Sequence, residues 1–377
     1  MLGTHVAMRI LFALPGLHRY DRGAETAFIC IATVLAQAGH SVTLIGSGQP
    51  QVGRPYQFLH AGSIGRENFE HFPALPLLRN ECAYEELTFA PALLRSFRTA
   101  NYDVTITCGY PYTNWVLRRP AFGRNKPRHV FVTENGDWPA FANSAEYRFF
   151  GCDGLVCTNP DFFERNKNRW RSSLIPNGVD CEFFRVGPTQ GAKFGLPHDR
   201  QIVLMVSALV PNKRVQAAIA AVSRIPNAHL VVAGDGPLRQ EIDDLAERLL
   251  PGRFTRLLVK PDQMPALYQS ANVFLHLCKD ESFGNVLLEA MACGLPVVAH
   301  DVERVKWIVG DTAILCNTDD PDLTAQHIAI ASNIFLNNRD ERLAQAAKFS
   351  WKRVGKMYER FLEEIVSSPS SQQDCNE

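Results

Sequence analysis

Short β-prone runs alternate with amphipathic helical stretches twice along this chain, and that alternation leaves few folds open. A strand over 9–14 is broken by Pro15-Gly16. A helix over 24–37 follows, with Ala27, Ile31, Val34 and Leu35 on one stripe and Gly39 at its end, and then a strand over 42–45. A strand–helix–strand unit of this length joins parallel strands through a right-handed crossover. Further strands are expected at 103–107, 130–133 and 154–158. From 187 to 200 the pattern dissolves into Gly, Pro, Thr, Gln and charge, which reads as a linker. A second alternation then places strands at 201–207, 228–233, 254–259, 273–277 and 296–299. Its helices fall at 215–225, 238–249, 264–270 and 284–293.

The expected fold class is therefore α/β, with two doubly wound Rossmann-like domains, 1–185 and 186–350, facing each other across a cleft. In open parallel sheets ligands sit beyond the carboxyl ends of the strands, so the cleft is where the chemistry belongs. The Ser- and Gln-rich end, 367–377, is expected to be disordered.

Composition narrows the function. Lys plus Arg and Asp plus Glu are 39 each in 377 residues, so the basic excess of a nucleic-acid binder is missing. No apolar run approaches the roughly 18 residues of a membrane span. The ten cysteines include no Cys-x-x-Cys pair, which favours buried, reduced thiols in a cytoplasmic protein over a disulfide framework or a zinc site. Neither G-x-G-x-x-G nor G-x-x-x-x-G-K-[ST] occurs, against a dinucleotide enzyme or a P-loop NTPase. Two basic clusters read as solvated faces that leave room for peripheral contact with a membrane: Arg165 to Arg171, and Arg118, Arg119, Arg124, Lys126 and Arg128. Asp320-Pro321-Asp322 has the form of a metal-binding D-x-D, but it precedes a helical stretch, so Asp322 reads as an N-cap.

The chemistry concentrates in 279–300, KDESFGNVLLEAMACGLPVVAH. Glu281 stands before a helix opened by Ser282, Phe283 and Gly284, and Gly294 and Pro296 end that helix. Gly284 and Asn285 present free amides at its N-terminus, where the dipole also favours an anion. Glu281 and Glu289 lie eight residues apart, roughly 12 Å along a helix axis. Glycosidase carboxyl pairs sit closer, at roughly 5–10 Å. The longer span suits an extended ligand with hydroxyls at both ends and an anionic middle, such as a sugar nucleotide.

This segment resembles the E-x₇-E motif of family 4 retaining glycosyltransferases of the GT-B fold. The likeness continues through SLIPNGVDCEFF (173–184), VSALVPNKRVQAAIAA (206–221) and VVAGDGPLR (231–239), and more weakly through 22–45 and the closing FSWKRVGKMYERFLEEI. The resemblance implies a nucleoside-diphosphate-sugar donor, a hydroxyl-bearing acceptor, no cofactor or obligatory metal, and a final helix, about 351–366, that rejoins the N-terminal domain. It implies that Glu289 holds the ribose and Glu281 faces the donor sugar. Phe283, Gly284 and Asn285 form the turn that meets the diphosphate. Lys213 neutralises the leaving group, and Gly23 belongs to an N-domain loop near it. His18, Glu134 and Asp137 are candidates for the acceptor side.

Three departures from the family pattern bear on activity. Ser207-Ala208-Leu209 stands where Gly-Arg-Leu is usual, so the phosphate-clamp arginine is missing, with Arg214 or Arg22 as replacements. Arg22 itself stands where a first glycine is common. Glu134 stands where a histidine is common. Two alternatives stay open beside the transferase: a catalytically impaired partner that binds sugar nucleotides, and an epimerase or phosphorylase on the same fold.

Overall fold

The computed structural model describes residues 7–119, 126–142, 146–333 and 338–368. The chain forms two compact units, one running to Pro176 and resuming at Trp351, the other Asn177–Ser350.

Among the described residues the first unit holds seven parallel strands: β1 Arg9–Ala13, β2 Ser41–Gly46, β3 Gln57–His60, β4 Val104–Thr107, β5 Arg128–Val132, β6 Gly154–Cys157 and β7 Ser172–Leu174. Their order is β3-β2-β1-β4-β5-β6-β7, so the winding reverses between β1 and β4. Ile10 to Ala13 are all buried, because helices cover both faces of the sheet. The helix Gly23–Gln37 buries Ala27, Phe28, Ile31, Ala32 and Leu35. The helix Trp351–Ser367 turns Val354, Tyr358, Phe361, Leu362 and Ile365 into the same core as Ile10, Phe12 and Leu44. That 3–4 spacing gives a single apolar stripe, and it assigns this last helix to the first unit.

The described residues of the second unit hold six parallel strands: β8 Gln201–Val206, β9 Ala228–Ala233, β10 Phe254–Leu257, β11 Val273–His276, β12 Val297–His300 and β13 Ile314–Cys316. The order β10-β9-β8-β11-β12-β13 reverses between β8 and β11. Successive residues of β8 feed opposite layers. Leu204 joins Val231, Phe274 and the helix residues Leu287, Leu288 and Met291, while Val203 and Met205 join Ala218, Ile219, Val222 and Ile242. Each fully buried Leu, Ile or Met contributes about 1.5–3 kcal/mol relative to exposure.

Three expectations need correction. The chain enters the second unit at Asn177, not 186, because the Val179 amide donates to the Phe349 carbonyl at 2.9 Å and Val179 is buried in that unit's core. The stretch 187–200 is accordingly no linker: Gly191–Phe194 forms a 3₁₀ turn and Leu196 is buried in the same core. At the D-x-D, the cap is Asp320, whose Oδ1 accepts from the amides of Asp322 and Leu323 at 2.9 and 3.0 Å, while Asp322 pairs with Arg224. Of the end expected to be disordered, Ser367 closes the last helix, and 369–377 lie outside the described residues.

Candidate active site

In the second unit the loops after β8 and β11 carry the candidate residues, on the two strands that flank the reversal of winding. The helix Asn285–Ala292 is entered through Gly284, whose φ of +93° lies in the left-handed region open to glycine. Phe283 anchors this entry by packing edge-on against Trp307, with centroids 6.2 Å apart, and Asn285 Oδ1 accepts from Asn177 Nδ2 at 3.1 Å. One turn on, Glu289 Oε2 accepts from the buried Tyr268 hydroxyl at 2.7 Å. Burial raises the Glu289 carboxyl above its ordinary range, and the Tyr268 hydrogen bond opposes that rise.

Lys213 ends the 3₁₀ turn Pro211–Lys213 that follows β8, and its ammonium forms an ion pair with Glu281 Oε2, a residue 68 positions later. Arg304 donates to the Glu281 carbonyl, fixing the loop from below. The switch point thus holds a cation, a carboxylate and a helix N-terminus, with a second carboxylate, Glu289, one turn along that helix, an arrangement suited to an anion with hydroxyl groups on either side. The 231–239 motif has a structural reason as well. A Cβ on Gly234 would meet the Ser207 carbonyl oxygen at 1.9 Å, so only glycine lets this loop pass the end of β8.

The two replacement arginines each have partners within their own unit. Arg214 has φ +59° and donates to the Leu277 carbonyl (3.1 Å), Thr318 Oγ1 (2.7 Å), the Thr318 carbonyl (3.0 Å) and Asp319 Oδ1 (2.6 Å). Its guanidinium ties the 318–319 loop to β11 and is committed there. In the first unit, Arg22 caps the helix that begins at Gly23. It is ringed by Glu85 at 3.1 Å, Glu25 at 3.7 Å and Glu67 at 3.9 Å, and lies 3.9 Å from the centre of the Tyr20 ring.

Two of the three acceptor-side candidates have side-chain partners within the first unit. The His18 ring stacks on Phe58 at 4.2 Å; Nδ1 donates to the Gln49 carbonyl at 3.0 Å, so Nε2 accepts from Tyr56 at 2.8 Å. Asp137 is buried and accepts from Arg165 Nε and Nη2 at 3.0 and 2.8 Å and from Asn166 Nδ2 at 2.8 Å. It staples the turn at Trp138 to the helix Pro160–Asn166. Glu134 stands half-buried on the 3₁₀ turn at the carboxyl end of β5. The basic clusters also fold back onto the unit. Arg118 donates to the Phe149 carbonyl, Arg119 to the Phe97 carbonyl and Trp170 to the Ala140 carbonyl, while Arg128 pairs with Asp153. Arg124 lies outside the described residues.

Sequence reasoning missed Tyr268, His276, Glu85 and Glu86. Tyr268, Glu85 and Glu86 act through partners 21 to 63 positions away, and His276, five positions before Glu281, belongs to no pattern that marks it.

Two sheets of Rossmann strand order in one chain, the second carrying a carboxylate–lysine pair at its switch point, define the GT-B class of glycosyltransferase. Comparison with known proteins agrees. Residues 188–349 match the family model for glycosyl transferases group 1, and residues 22–183 match that for glycosyltransferase family 4. The N-acetyl-alpha-D-glucosaminyl L-malate synthase of Bacillus anthracis is 30% identical over 359 residues, 88% of this chain and 91% of that protein. The phosphatidylinositol N-acetylglucosaminyltransferase gpi3 subunit of Schizosaccharomyces pombe is 26% identical over 226 residues. That alignment spans 57% of this chain and 48% of the subunit's length. Among solved structures, Anabaena HepE in complex with UDP and glucose superposes with a TM-score of 0.70 at 18% identity, over 95% of this chain and 100% of that one. The chain belongs to glycosyltransferase family 4.

Proposed function

We propose that this glycosyltransferase moves a hexose-type sugar from a nucleoside diphosphate to an acceptor hydroxyl, with retention at the anomeric carbon and without a metal ion. The observation that carries the reading is the meeting of Lys213 and Glu281 at the β8/β11 switch point, just before the helix Asn285–Ala292, which carries Glu289 one turn in. The diphosphate takes the amides at Gly284 and Asn285, and Lys213 neutralises the charge that develops as it leaves. Glu289, held by Tyr268, accepts from the ribose hydroxyls, and Glu281 faces the donor sugar. In the retaining mechanism the departing phosphate oxygen takes the acceptor proton, so no separate base is required. The complex of HepE with UDP and glucose supports a nucleotide-bound donor, and the malate synthase supports a small hydroxyl-bearing acceptor. None of the described helices is long and apolar enough to cross a membrane. We place the protein in the cytoplasm, with any membrane contact peripheral.

Thermal unfolding against UDP, GDP, ADP, TDP and CDP tests the donor site. A ligand at 100 times its dissociation constant adds about 2.7 kcal/mol, which moves the midpoint by several degrees. Glu289→Ala is expected to weaken the responding diphosphate by about 10- to 100-fold, the worth of one charge-assisted bond from a ribose hydroxyl. An unchanged affinity would remove Glu289 from the site. A second reading, a partner that binds sugar nucleotides without turnover, draws on one observation: Arg22 and Arg214 are both committed to other groups. A midpoint shift with no release of nucleoside diphosphate from any nucleotide sugar would favour it.

A further inference from the structure

We propose that His276 is a positioning residue for Glu281, donating from Nε2 to its carboxylate when Lys213 turns to a diphosphate. The inference rests on the donor-site reading above and adds a residue that neither the motif nor the resemblance marks.

His276 is the last residue of β11, in a strand whose four residues are all buried, and it is itself 4% exposed. Among the described residues its Nε2 has no hydrogen-bond partner, and it lies 4.0 Å from Glu281 Oε2, the same oxygen that Lys213 holds. A buried ring nitrogen without a partner is costly and calls for a reason. A leucine at this place would cost nothing of that kind, since its neighbours Phe274 and Leu275 are core residues.

The chemistry of the pair supplies the reason. Lys213 cannot neutralise a leaving phosphate and keep its full hold on Glu281. Released in a partly buried site, the carboxylate would swing or repel the incoming anion. A neutral Nε2–H within reach of Oε2 holds the carboxylate in place and adds no second positive charge. Glu281 itself favours the tautomer with the proton on Nε2, because the alternative sets a lone pair against a carboxylate. Burial first, and Lys213 after it, push the imidazole down to about 4, while Glu281 pulls the other way, so the ring is neutral at pH 7. The Cys278 thiol beside Glu281 is buried and its pKa is raised, first by burial and then by that carboxylate, so it stays a neutral neighbour.

Three substitutions separate positioning from packing. His276→Gln carries an amide nitrogen to the place of Nε2, His276→Asn carries one only to the place of Nδ1, and His276→Leu fills the volume with no donor. Each is assayed for nucleoside-diphosphate affinity and for release of diphosphate from the nucleotide sugar that the parent uses. His276→Leu and His276→Asn are expected to lose about 10- to 100-fold in kcat, with diphosphate affinity within about twofold. His276→Gln is expected to recover to within about threefold of the parent. Equal activity in all three, or an equal loss in all three, would make His276 a core residue and overturn the proposal. Should His276→Leu fail to fold, the contrast of Gln with Asn decides alone. A parent that binds no nucleoside diphosphate and releases none would instead overturn the donor-site reading, and this inference with it.

Discussion

Lys213→Ala is expected to lower turnover by about 10²–10³-fold, equivalent to about 2.7–4 kcal/mol of transition-state stabilisation, while nucleoside-diphosphate affinity falls by less than about tenfold. The asymmetry follows from when the charge appears. A bound diphosphate already has the Gly284 and Asn285 amides, and the extra negative charge of bond cleavage is what the ammonium must meet. Two other cations that could have shared the work are committed: Arg214 to Thr318 and Asp319, Arg22 to Glu85. Lys279, the next basic residue along the loop, pairs with Asp319 at 2.6 Å. The fold should not suffer, since both partners of the Lys213–Glu281 pair are about a fifth exposed and such pairs contribute at most about 1 kcal/mol. Single-turnover release of diphosphate, set beside equilibrium binding, separates the two quantities. An affinity loss as large as the rate loss would make Lys213 a binding residue only. No loss in either would move the leaving-group site elsewhere.

What was legible in the sequence follows the range of the interactions. β9 is read to the residue and the central strands of both sheets within a residue or two, because they are buried on both faces and their apolar runs are continuous. The edge strands β3, β7 and β13 escape notice, being three or four residues long and half-covered, with no clean pattern. The site helix is legible because its opening, its carboxylates and its closing glycine are local. The partners of the acceptor-side candidates and of Arg22 are not, since they are set across the chain. Asp137 is claimed by Arg165 28 positions later, His18 by Tyr56 38 positions later, and Arg22 by Glu85 63 positions later. Spacing along a sequence cannot show that a carboxylate or a guanidinium has already found its partner.

The same limit hid Glu86, which reads as an ordinary helix-face charge and yet makes the first unit sensitive to pH. It is buried on the helix Glu81–Ser96, and its Oε2 accepts from the Thr113 amide at 3.2 Å. Burial pushes its carboxyl up to about 7; the Thr113 and Tyr110 amides pull the other way, and Glu85 adds to the rise. In the unfolded chain the same group loses its proton near 4.3. Between those values the folded state alone keeps the proton, so stability falls as pH rises through the window and levels off above it. The full loss is about 3.7 kcal/mol. His129 and His276, held down to about 3 and about 4 by burial, have the opposite slope, because the unfolded chain takes their protons first below about 6.5. The comparison must therefore be with Glu86→Gln, which keeps an acceptor for the Thr113 amide and has no proton to lose. Urea unfolding followed by tryptophan fluorescence reports mainly the first unit, which carries Trp115, Trp138, Trp170 and Trp351 against Trp307 in the second. The variant is expected to match the parent near pH 4 and to exceed it by about 3.5 kcal/mol at pH 8. A constant difference at the two pH values would mean that Glu86 is ionised in the folded protein throughout, held by the Thr113 amide against the cost of burial.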